Sequence, residues 1–164
     1  MRCAIFVGAG YLLAAAGELC PGTRERSRIQ CDYGGLLDAF LSCVSAHAAG
    51  EVLRLYWYDA AKDRIPSPDQ QRIGALPYVK LRLGTISGGR QKGVDALIFR
   101  DMLTLSRERA IGGAYLLTGD EDLREAVVFC QAPDPSPVRC PRYGSGSAET
   151  KPEAVASGWA PPTS

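Results

Sequence analysis

The chain has 164 residues, 46% of them hydrophobic and 23% charged, with a net charge of +1. That length suits one domain with a single core, and the composition is ordinary for a soluble globular protein. The balanced charge excludes the global basic field of an obligate nucleic-acid binder, so any such contact must be local. No apolar run reaches the ~18 residues of a membrane span, and no membrane partner is expected.

In chain order, Cys3 to Val7 reads as a buried strand, followed by a glycine-rich turn at Gly8 and Gly10 and then a helix. Arg2 and the apolar stretch ending Ala14-Ala-Ala-Gly17 imitate a secretory signal, but the alternating strands and helices downstream require a central first strand. Asp32 to Ala49 carries Leu36, Leu37, Phe40, Leu41 and Val44 at helical spacing. Val52 to Tyr58 is the next strand. Its Tyr56-Trp57-Tyr58 run reads as core rather than a base-stacking platform, with Tyr58 and Asp59 at the strand's exit. Pro68 opens a short helix. Tyr78 to Leu83 alternates like a strand, and Ser87 to Gly93 reads as a flexible basic loop. A helix from Val94 to Arg109, a strand from Ala114 to Thr118 and a helix from Glu121 to Phe129 complete the pattern.

This alternation predicts an α/β fold with a mostly parallel sheet covered on both faces. Seven of the eleven prolines lie between 133 and 164. The expected division is therefore a folded domain over 1–131 and a disordered Pro/Ser/Gly-rich tail over 132–164. Val138-Arg-Cys140 is short and flanked by proline, so the sheet is expected to lack its last strand. The six cysteines are scattered, with no C-x-x-C pair, and His47 is the only histidine. A zinc site is not expected, and the thiols read as reduced, which implies a cytoplasmic protein.

The chemistry is concentrated in Lys92-Gly-Val-Asp95 and Thr118-Gly-Asp120-Glu-Asp122. Each Asp taken alone reads as a helix-start residue favoured by the dipole. Three of them at the C-terminal edge of one parallel sheet point instead to a cation such as Mg²⁺, held by carboxylate oxygens. Arg82, Arg90 and Lys92 form a basic approach. Lys92 is the better candidate for phosphate contact, with Arg90 beside it, while for Arg82 and Arg90 a solvated loop position is at least as good a reading. Asp101 falls on the apolar face of its helix, about 9 Å along the axis from Asp95. It is expected to be structural, bonding the site's loops from beneath, and Thr118 is likewise expected to be a supporting residue of the site. Gly8-Ala-Gly10 is not a dinucleotide fingerprint, because position 13 is Leu13 and the acid after a second strand is missing.

Ala4-Ile-Phe-Val-Gly8-Ala-Gly-Tyr-Leu, Leu55-Tyr-Trp-Tyr-Asp59, Lys92-Gly-Val-Asp95-Ala-Leu-Ile-Phe-Arg-Asp101-Met and Leu117-Thr-Gly-Asp120-Glu-Asp122-Leu resemble, in that order, the NYN domain. This is the PIN-like nuclease group that includes LabA-type bacterial proteins, and the resemblance covers roughly residues 3 to 131. It implies a PIN-like three-layer α/β/α sandwich that cleaves RNA, single-stranded by preference, with Mg²⁺ or Mn²⁺ bound at the sheet edge. Asp95, Asp120 and Asp122 match the family's acidic positions. The first-strand acid falls at position 8, which is Gly8 here, so activity is expected to be weakened or lost while RNA binding persists. The alternative is a catalytically inactive RNA-binding or protein-interaction module. PIN-like proteins often pair, so a homodimer is also expected.

Overall fold

The computed structural model describes residues 2–19, 29–47, 50–119, 123 and 138–139. These form an α/β fold built on a mixed sheet with strand order β4-β3-β2-β1-β5-β6. β1 (Arg2–Gly8) is flanked on both sides by parallel neighbours, β2 (Glu51–Ala61) and β5 (Gly113–Leu117). β2 pairs in parallel with β3 (Val79–Ser87), and β3 pairs antiparallel with β4 (Arg90–Lys92). β6 (Val138–Arg139) adds a two-residue parallel strand outside β5.

Strand alternation divides the core between the two sheet faces. Ala4, Phe6, Tyr56, Tyr58, Ala114 and Leu116 pack with Val94, Ile98 and Met102 of α4 (Val94–Arg107). Ile5, Val7, Leu55 and Trp57 point the other way, toward Leu37 and Val44 of α2 (Tyr33–His47) and Ile73 of α3 (Pro68–Gly74). α1 (Ala9–Leu19) lies on that second side through Ala9 and Leu12. The aromatic run on β2 is core, as expected. Phe6 stacks on Tyr56 with centroids 5.3 Å apart and on Tyr58 at 6.3 Å, and Tyr33 meets Trp57 edge-on.

Local chemistry sets the helix starts. Asp32 accepts the backbone N–H groups of Gly34 and Gly35 at 3.1 Å and so caps α2. Ser67 and Gln70 form a reciprocal capping box for α3, with Pro68 in its first turn.

Several expectations need correction. Gly10 belongs to α1 rather than to a turn, because the helix begins at Ala9, directly after β1. β2 runs three residues past Tyr58, so Asp59 is inside the strand and fully buried. Its carboxylate is satisfied there, accepting from Gln70 Nε2 at 2.7 Å and from the Ala60 N–H at 2.8 Å. The flexible basic loop is a β-hairpin. Gly88 and Gly89, at φ 60° and 73°, turn β3 into β4, and left-handed residues of that kind suit a two-residue hairpin turn. The sheet also continues beyond β5, and β6 falls within the stretch read as a tail. Such a short strand at a sheet edge tolerates flanking prolines. The helix expected over Glu121 to Phe129 lies outside the described residues apart from Leu123, which is helical and buried on the α4 side.

Candidate functional site

The strand order reverses at β1. The chain leaves β1 through α1 and α2 to reach β2 and β3 on one side, then crosses with α4 to β5 on the other. Open α/β sheets bind ligands at such a switch point, outside the C-terminal ends of the strands. A cleft of about 410 Å³ lies at that place. It is lined by Gly8 from the end of β1, Gly10 and Tyr11 from the first turn of α1, and Gln91 from β4. Val94, Asp95 and Ile98 from α4, with Thr118 and Gly119 after β5, complete it.

The structure therefore brings Gly8, Asp95 and Thr118 together. Asp95 is an exposed first-turn residue of α4, whose N-cap is Gly93 at φ 78°, so backbone rather than an Asp side chain begins the helix. Ala4 and Phe6 point to the α4 face, so a side chain at position 8 would point there too. A Cβ built on Gly8 would meet Leu117 O and Thr118 Oγ1 at 3.5 Å, which is ordinary contact. Position 8 has room for an acid, and that acid would project onto the face that carries Asp95. Asp120 and Asp122 lie outside the described residues; Gly119, immediately before them, lines the cleft.

Arg90 and Lys92 are exposed and do not line the cleft. Gln91 pairs with Ile86, whereas Lys92 and Arg90 pair with Thr85 and Ser87. Alternation along a three-residue strand turns the central amide to one side and both cations to the other.

Asp101 is structural, but its partners are strands rather than loops. It accepts two bonds from Arg82, Nε to Oδ2 and Nη2 to Oδ1, both 2.7 Å, and one from the Tyr58 hydroxyl at 3.1 Å. This bidentate pair ties α4 to β2 and β3, and it commits Arg82 to the fold rather than to phosphate. Burial first, then the Asp101 charge and hydrogen bond, pushes the Tyr58 phenol far above its usual range. The Arg82 guanidinium is likewise held charged, chiefly by its bond to Asp101.

Sequence reasoning gave no cleft role to four residues that line it. Gln91 belongs to no motif, while Gly10, Tyr11 and Gly119 fall within quoted motifs but show their purpose only in three dimensions. A Cβ on Gly119 would overlap the Tyr11 ring, and one on Gly10 would lie 3.2 Å from Oε1 of Gln91. Each glycine seats a cleft side chain.

Among the described residues no group of three His, Cys, Asp or Glu side chains could hold a metal ion. The cleft offers one carboxylate, Asp95, with the Thr118 hydroxyl and the Gln91 amide. These are hard donors of the type Mg²⁺ or Mn²⁺ accepts, and they would suffice only together with Asp120 and Asp122. Among the described residues no helix is long and apolar enough to cross a membrane, and Cys3, Cys31 and Cys43 are free thiols.

No family model matches the chain. Over 66 residues it is 52% identical to y4oD, an uncharacterized protein of Sinorhizobium fredii (strain NBRC 101917 / NGR234). That match takes in 40% of this chain and 31% of the relative, so the chain matches under a third of the relative's length. The fold is similar to the crystal structure of VPA0982, a protein of unknown function from Vibrio parahaemolyticus RIMD 2210633. The TM-score is 0.56 at 18% identity, covering 85% of this chain and 79% of that one.

Proposed function

We propose that the β1–β5 cleft is the site of a metal-dependent ribonuclease of the NYN type, on a PIN-like three-layer sandwich, weakened by glycine at position 8. The observation that carries this reading is the cleft itself. It stands at the switch point of the sheet, with Asp95 in its wall and position 8 aimed at the same face. Asp95, Asp120 and Asp122 would hold Mg²⁺ or Mn²⁺, and single-stranded RNA is the substrate. The ion, when bound, supplies phosphate polarisation and a hydroxide nucleophile. Asp95 lies in the first turn of α4, where a carboxylate interacts favourably with the helix dipole.

A second reading, a non-catalytic RNA-binding module on the same scaffold, is favoured by one observation. Asp95 is the only carboxylate among the described residues lining the cleft. Calorimetric titration with Mn²⁺ bears directly on the metal site. The Gly8→Asp variant is expected to bind Mn²⁺ at least about tenfold more tightly than the unsubstituted chain, equivalent to ~1.4 kcal/mol. Asp95→Asn is expected to remove most of the binding. Folded Gly8→Asp with no gain in affinity would remove position 8 from the metal site.

A further inference from the structure

β4 contributes a neutral amide to the cleft rather than a charge. Gln91 lines it beside Asp95 and Thr118, while its basic neighbours face the other way. The amide, though exposed, lies over the start of α1. Its strand is held by the Thr85–Lys92, Ile86–Gln91 and Ser87–Arg90 pairings, and its Oε1 and Nε2 lie 3.2 and 3.3 Å from where a Cβ on Gly10 would stand. Glycine within a helix is disfavoured relative to alanine. At position 10 that cost leaves space for this amide over the first turn of α1. The cavity, about 410 Å³, is at the small end of the ~300–1,000 Å³ of ligand sites, so it is suited to one nucleotide unit rather than a duplex.

We propose that Gln91 distinguishes ribose from deoxyribose in this cleft, its amide bonding the 2′-hydroxyl of the nucleotide beside Asp95. An amide carries both a donor and an acceptor, matching a hydroxyl that both donates and accepts. The 2′-hydroxyl is the group by which a protein tells RNA from DNA at a given position. A cation there would instead bind the phosphates of both strands alike. The assignment rests on the ribonuclease reading and adds a specificity residue to it.

The test is fluorescence anisotropy with labelled oligo-U and oligo-dU of equal length, in EDTA so that no strand is cut. It compares the unsubstituted chain with Gln91→Ala and Gly10→Ala. The unsubstituted chain is expected to prefer oligo-U. Gln91→Ala should reduce that preference roughly three- to tenfold, the scale of one lost neutral hydrogen bond, by weakening oligo-U alone. Gly10→Ala crowds the amide while raising helix propensity. It should lower the preference yet leave the melting temperature unchanged or higher, an outcome a merely structural role for Gln91 does not produce. Binding with an undiminished preference in both variants, or equal loss for the two oligonucleotides, would overturn the role of Gln91 and leave the ribonuclease reading standing. If the unsubstituted chain bound neither oligonucleotide, the RNA reading would fail, and this inference with it.

Discussion

Asp101 sits on the apolar face of α4 and is nearly buried, so its partners decide what it does. Its position was legible from helical spacing, and its structural role followed from the distance to Asp95. Its partners were not legible, because Arg82 and Tyr58 lie 19 and 43 residues away in the chain. Arg82 in particular read as a phosphate contact or a solvated cation, since nothing local marks it as half of a bidentate pair. Removing one member of a buried pair strands the other charge in a poor solvent, at a cost of ~3–5 kcal/mol when burial is complete. The Arg82 side chain is 26% exposed, which reduces that figure. Arg82→Ala is expected to lower stability by about 2–4 kcal/mol in urea unfolding, and Arg82→Ala/Asp101→Ala to cost less than the two single changes summed. Strict additivity would show that the two side chains do not act as a pair.

The β3–β4 hairpin is the element that reading along the sequence handles least well. Ser87-Gly-Gly-Arg-Gln-Lys has the composition of a loop, and a three-residue strand is too short to display alternation. Two consecutive glycines between apolar-alternating and polar residues were nevertheless a turn signal. The hairpin places Gln91 over α1 and brings Lys92 O close to Gly84, where a Cβ would lie 2.7 Å from that oxygen and 2.9 Å from Val94 Cγ2. Gly84 therefore permits α4 to begin against β3, which sets the height of Asp95 above the sheet. Gly84→Ala is expected to destabilise by ~1–3 kcal/mol through overpacking. Gly8→Ala, with its nearest contacts at 3.5 Å, should stay close to neutral. Equal thermal stability of the two variants would contradict this account of how α4 is seated. The underprediction of β2 has a similar origin, since Asp is disfavoured in strands and Asp59 persists there only because Gln70 and the Ala60 N–H satisfy it.

At the scale of the whole molecule, the alternation of apolar runs and helical patterns was enough to point to the sheet edge where the cleft lies. The C-terminal edge of β1 and β5 is legible in that alternation, because ligand sites of open α/β sheets gather there. What the pattern could not supply was the mixed sheet, the short β6 strand, or the glycine seats that hold Tyr11 and Gln91. The β6 strand and the glycine seats depend on contacts between segments far apart in sequence, whereas the antiparallel part of the sheet is the local β3–β4 hairpin. The glycine at position 8 carries opposite meanings at two levels. Locally it ends a strand and needs no further explanation, while in the assembled fold it stands where a carboxylate would join Asp95 across the cleft.

The most direct test is cleavage of a labelled single-stranded RNA with Mn²⁺, Mg²⁺ or EDTA by the unsubstituted chain, Gly8→Asp and Asp95→Asn. The account predicts metal-dependent cleavage that is at least about tenfold faster in Gly8→Asp than in the unsubstituted chain, the lower end of what a well-placed catalytic carboxylate contributes. It predicts none above background in Asp95→Asn. Cleavage that persists in EDTA or survives Asp95→Asn, or silence from a folded Gly8→Asp variant, would contradict it.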